Sequence, residues 1–179
     1  MRLLRIDLGD GAELRTFTLE DAETIYALVD RNRERLAEWF PWVDGSTGPD
    51  TQREWLRGLL ADEVTCDGNG IWVGGELAGA AGLFFPEGWI GEIGYWLDAG
   101  FEGRGLATRA AKELVALAFA EPRIRRIQIH AAAGNARSRA VAERLGFEQE
   151  GILRAAGKVG GGRLVDLVVY ARLADRLRR

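Results

Sequence analysis

A chain of 179 residues can bury a sizeable core in one domain, and its 47% hydrophobic and 28% charged content excludes disorder. The net charge of −3 argues against nucleic acid as a partner and suits a basic peptide or small amine. A single cysteine, Cys66, excludes an internal disulfide, and with only one histidine, His130, a metal site is not expected.

Residues 1–8 and 12–17 read as a first strand or hairpin around Gly9-Asp10-Gly11. Thr18-Leu19-Glu20-Asp21 has the form of a capping box, followed by a helical face of Ala22, Ile25, Tyr26 and Val29. A short helix over 31–38 ends near Trp39-Phe40-Pro41-Trp42, and 45–50 form a loop. A third helix over 51–64 turns Trp55, Leu56, Leu59 and Leu60 inward. Asp67-Gly68-Asn69-Gly70 reads as a turn, before strands at 71–73, 77–85 and 89–97. Leu106, Ala107, Ala110, Ala111, Leu114, Leu117 and Ala118 recur at helical spacing, up to a stop at Pro122. A strand over 123–131 leads to a helix over 135–145, which Gly146 and Phe147 close as a Schellman stop. The last strands, 149–154 and 163–172, flank a loop of Lys158, Val159 and three glycines. No repeat or linker divides the chain, so 1–179 reads as one mixed α/β (α+β) domain. Cys66 reads as a small, partly buried residue rather than a nucleophile. Without a signal-peptide core or a run of about 18 apolar residues, a soluble cytoplasmic protein with no membrane partner is expected.

The stretch that organises the chain joins the aromatic, β-branched run Glu92-Ile93-Gly94-Tyr95-Trp96-Leu97 to the helix from Leu106 through Glu102-Gly103-Arg104-Gly105. The first N–H groups of a helix lack internal partners, and the helix dipole makes that end attract anions. Glycines let the backbone approach a phosphate closely. Strand, glycine turn and helix together read either as a pyrophosphate cradle or as an ordinary turn. The dinucleotide fingerprint fails because Thr108 stands where a third glycine belongs, and the Walker pattern is absent. A second step, Asn135-Ala136-Arg137-Ser138, opens the next helix; by itself it is an N-cap asparagine with a first-turn serine.

Glu102 to Ala107 resembles motif A of the GNAT acetyltransferases, Q/R-x-x-G-x-G/A, with Glu102 where that family has Gln or Arg. Asn135-x-x-Ser138 and Leu145-Gly146-Phe147, with Leu36-Ala37-Glu38-Trp39, Pro41-Trp42 and the ending from Gly162 to Arg172, are similar to the RimJ/RimL branch, which acetylates ribosomal-protein N-termini. The resemblance covers nearly the whole chain in order. It implies a single GNAT domain with a bent mixed sheet of about seven strands, helices on both faces, and a central strand pair splayed at a bulge. It implies acetyl-CoA as cosubstrate and direct attack by a primary amine. In that reading Ile93, Tyr95 and Leu97 hold the pantetheine arm through backbone groups. Gly103, Arg104, Gly105, Ala107 and Thr108 hold the pyrophosphate, and Asn135 bonds the pantetheine side. Ser138 serves the departing sulfur. Homodimers are common in the branch.

The branch can place a basic glutamate between its last two strands, but here Gly157-Lys158-Val159-Gly160 carries no carboxylate. Glu92 takes the role of base by analogy with other GNAT branches, or is a strand-end carboxylate paired with an arginine. His130 is either a hydrogen-bonded structural residue or a second candidate for the chemistry. An α-amine, with a pKa of about 7.7–8.0, is partly neutral near pH 7, whereas a lysine at about 10.4 hardly is. A weak base therefore favours an N-terminal acceptor. Trp39 and Trp42 are the candidate acceptor-binding residues, with core packing as the alternative. Small-molecule amines (polyamine, aminoglycoside or amino acid) and a non-catalytic acyl-CoA-binding module are the rival readings.

Overall fold

Successive side chains of a strand point to opposite faces, and in this chain the apolar ones divide accordingly. Ile71 and Ala78 join one core and their neighbours Trp72 and Leu77 another. The computed structural model describes residues 5–61 and 66–174. It orders β1 (Arg5–Gly9), β2 (Ala12–Thr16), α1 (Ala22–Arg31), α2 (Arg33–Ala37), α3 (Pro49–Ala61), β3 (Cys66–Val73), β4 (Glu76–Glu87), β5 (Ile90–Leu97), α4 (Leu106–Ala120), β6 (Arg126–Ala132), α5 (Ala136–Arg144), β7 (Glu148–Lys158) and β8 (Leu164–Leu173). One eight-stranded sheet runs β1-β2-β3-β4-β5-β6-β8-β7. Its pairs are antiparallel except β5–β6, the two strands that α4 connects. The first core packs Leu106, Ala110, Ala111, Leu114 and Ala118 of α4 on the sheet. The second packs Ile25, Val29, Leu36 and Leu56 of α1–α3 against Phe17, Trp72 and Leu77 on the other face.

Two helix ends behave as their sequences require. Thr18 N–H donates to the Asp21 carboxylate at 2.8 Å ahead of α1. At the end of α5, Gly146 is left-handed (φ 72), its N–H bonds Glu143 O and Phe147 N–H bonds Ala142 O, which completes the Schellman stop.

Three expectations change. The strand count is eight rather than about seven, because the first segment is a full hairpin. Asp67 to Gly70 is strand, not turn: Asn69 and Gly70 pair with Thr16 and Arg15 of β2 and with Ala81 and Ala80 of β4. Its glycines serve close packing, since a Cβ on Gly68 would come within 2.7 Å of Leu59 and one on Gly70 within 2.7 Å of Phe17. Trp55 is 45% exposed rather than inward. The splay falls where it was expected, beside an irregularity of the sheet: the β4–β5 register shifts between Phe84 and Glu87, next to Glu92, the last residue of β5 paired with β6. The predicted ends at 1–4 and 62–64 lie outside the described residues.

Candidate active site

The sheet opens where its two parallel strands part. β5 and β6 are paired only at Ile90↔Arg126, Gly91↔Ile127 and Glu92↔Gln128. Beyond Glu92 they diverge, leaving one edge of β5 without a strand. Main-chain groups of alternate residues face alternate edges. Asp98 N–H bonds Ala78 O at 2.8 Å on the β4 side, so Leu97, Tyr95 and Ile93 turn theirs to the open edge. The Leu97 carbonyl there is already taken by the Arg35 guanidinium of α2. The gap holds a cleft of roughly 70 Å³ lined by Ile93, Tyr95, His130, Asn135, Ser138 and Trp39, among others.

Below the gap lies the glycine turn. Gly103 (φ 76) and Gly105 (φ 71) both sit in the left-handed region, and Gly105 is the N-cap of α4. A Cβ at either would meet nothing within 4 Å, so the concave side of the turn is open. Arg109 N–H donates to Gly105 O at 3.0 Å, the first intrahelical bond of α4. The amides of Leu106, Ala107 and Thr108 therefore project from the helix end without intrahelical acceptors. Arg104 bonds Gly100 O at 3.1 Å and lies over the Phe101 ring, its exposed side chain beside the turn. Glu102 does not face the anion site as a bare charge. It is neutralised by Arg35 at 2.6 Å and by Arg137 of α5. That pairing explains how a carboxylate stands where the family has Gln or Arg.

Asn135 caps α5, its Oδ1 accepting from Ser138 N–H at 3.0 Å. Ser138 Oγ lies 3.1 Å from the Tyr95 hydroxyl, whose one proton is within reach of Ser138 O at 3.0 Å. Burial drives the Tyr95 pKa up to about 12, with the Ser138 hydrogen bond opposing the rise. The phenol thus stays protonated at any physiological pH. Its hydroxyl escaped the sequence reading, which assigned Tyr95 a backbone role. The available signal was strand alternation, which puts the side chains of Tyr95, Ile93 and Leu97 on the α4 face.

Glu92 sits at the last β5–β6 pair. His130 Nδ1 is 3.4 Å from Glu92 Oε2, and Gln128 Nε2 donates to that oxygen at 3.2 Å. Burial disfavours the charge, but the hydrogen bonds from His130 and Gln128 prevail and hold the carboxyl below its ordinary value. Its partners are thus a histidine and an amide, not the arginine weighed from sequence. His130 lines the cleft.

On the other side of β5 lies a groove of roughly 550 Å³ between the sheet and α1–α3. Phe40, Gly94 and Tyr95 line both groove and cleft, so the two meet across β5. The two tryptophans picked from sequence part company here. Trp39 lines the cleft, and Trp42 lines the groove, 6.0 Å from the Trp96 ring.

The acetyltransferase (GNAT) domain family matches residues 12–148. The chain belongs to the GNAT acetyltransferases. Across 177 residues, 93% of each chain, it is 37% identical to the Bacillus subtilis (strain 168) protein named "Putative ribosomal N-acetyltransferase YdaF". It superposes with a TM-score of 0.90 on RimL, a ribosomal L7/L12 α-N-protein acetyltransferase solved with coenzyme A, at 27% identity over 96% of this chain and 99% of that one. The microcin C7 self-immunity acetyltransferase MccE, solved with acetyl-CoA and AMP, gives 0.88 at 25% identity over 94% and 95%. As a GNAT acetyltransferase the chain uses acetyl-CoA, and its own features fit that molecule. The open left-handed glycine turn suits a diphosphate, and the β5 edge that β6 abandons suits an amide-bearing arm.

Proposed function

We propose that this enzyme acetylates the N-terminal α-amine of a protein, with ribosomal proteins, for which its 37% identical relative is named, as the leading class and the cytoplasm as its compartment. Acetyl-CoA supplies an acetyl thioester. The amides of Gly103 to Thr108 hold the diphosphate, and Ile93 and Tyr95 offer main-chain groups to the pantetheine arm. Glu92 stays ionised at neutral pH and orients His130, which faces the cleft and takes the proton of the attacking amine. Ser138 Oγ, backed by the protonated Tyr95 phenol, delivers a hydrogen bond or proton to the departing sulfur.

The observation that carries this reading is the Tyr95–Ser138 pair, standing in the same narrow cleft as His130. A site that need only strip a weakly held proton suits an α-amine (pKa about 7.7–8.0) better than lysine (about 10.4). Thiol release with an α-amine peptide, compared with its Nα-blocked, lysine-bearing twin, tests the acceptor. The α-amine peptide should react at least about tenfold faster; faster reaction of the lysine twin refutes the assignment.

A further inference from the structure

The groove on the α1–α3 side of β5 differs from an acceptor site for a polycation. Among the described residues, none of those lining it carries a formal charge, and six are Phe or Trp. Trp42 (41%), Trp55 (45%) and Phe84 (46%) remain exposed at it, although they are large and apolar. Exposed aromatic clusters of this kind mark binding surfaces. Ring packing holds the walls: Trp42 lies against Phe40 and Trp96, and Trp55 meets Phe17 edge-on at 6.0 Å.

We infer that this groove is a specificity pocket for a large apolar or aromatic side chain at one of the first two positions of the acceptor peptide. The inference rests on the α-amine reading above. The groove meets the cleft at Phe40, Gly94 and Tyr95, so an amine placed at that junction brings the first side chains of its own chain into the groove. Burying an apolar side chain there is favourable, whereas an aminoglycoside or polyamine would lose hydration of several charges with no carboxylate among the described lining residues in return.

The test measures kcat/KM for peptides that begin Ser-Phe, Phe-Ser, Ser-Ser and Ser-Asp, with spermidine as a further acceptor. At least one Phe peptide should exceed Ser-Ser by ten-fold or more, mainly through KM, and Ser-Asp and spermidine should fall below it. Trp55→Ala and Trp42→Ala should each shrink the Phe-to-Ser ratio at least three-fold. Because both side chains are partly exposed, their loss leaves no sealed core cavity, and an unchanged thermal midpoint certifies the fold. Equal rates for the Phe, Ser-Ser and Ser-Asp peptides overturn the pocket while leaving α-amine acetylation intact. Preference for spermidine, or no reaction with any peptide, overturns both.

Discussion

The two openings on either side of β5 are built differently. The narrow cleft is made of main chain and helix ends: a strand edge that β6 leaves, a left-handed glycine turn, and a cap that fixes Ser138. The wide groove is lined largely by side chains, six of them Phe or Trp, brought together from α1, α3, β3, β4, β5 and the loops around them. Backbone sites change little when side chains are exchanged, so the cleft sets a fixed chemistry. The groove can be rewritten residue by residue, so it sets which acceptor is used.

The sharpest way to break this contrast is to damage the cleft alone. Ser138→Ala should lower kcat by about 100-fold while the acetyl-CoA Kd stays within about threefold, as read by steady-state kinetics and calorimetry. An unchanged kcat would remove Ser138 from the mechanism. Gly105→Val forces a β-branched residue to φ near 71 and fills the cradle with its side chain. Left-handed strain of about 1–2 kcal/mol together with the lost approach should raise the Kd for acetyl-CoA at least about tenfold.

Smaller effects probe the groups between the openings. Glu92→Gln should cost roughly tenfold in kcat/KM at pH 7 and alter the acid limb of the pH–rate profile. A second readout follows from linkage. The Glu92 carboxyl is held below its ordinary value, so its contribution to stability is present above about pH 4.3 and is lost as pH falls through the lower folded value. The gap in thermal midpoint between wild type and Glu92→Gln should therefore narrow below about pH 4. Glu102→Gln should do least. It removes ion pairs to Arg35 and Arg137 that are partly exposed, worth about 0–1 kcal/mol each, so the Kd should move less than about fivefold.

The same contrast explains what could be read from the sequence. The glycine turn, the Asn135–Ser138 cap and the Leu145-Gly146-Phe147 stop were legible because each is a local device, encoded within a few consecutive residues. The groove was not, because Phe17, Trp42, Trp55 and Trp96 meet only through tertiary packing. Trp55 fits an inward helical spacing yet stands at the groove with nearly half its surface exposed. Asp67 to Gly70 has turn composition, but two flanking strands and the packing of Leu59 and Phe17 hold it extended. The Arg35 bond to Leu97 O joins residues 62 apart, and nothing in the spacing announces it.

Amide hydrogen exchange with and without acetyl-CoA tests the central claim most directly, because it reads the main-chain groups themselves. Amides of Gly103 to Thr108 and of the β5 edge at Ile93 and Tyr95 should slow on binding, while those of α3 beside the groove stay unchanged. Binding that leaves residues 103–108 unprotected, or that protects α3 instead, would contradict it.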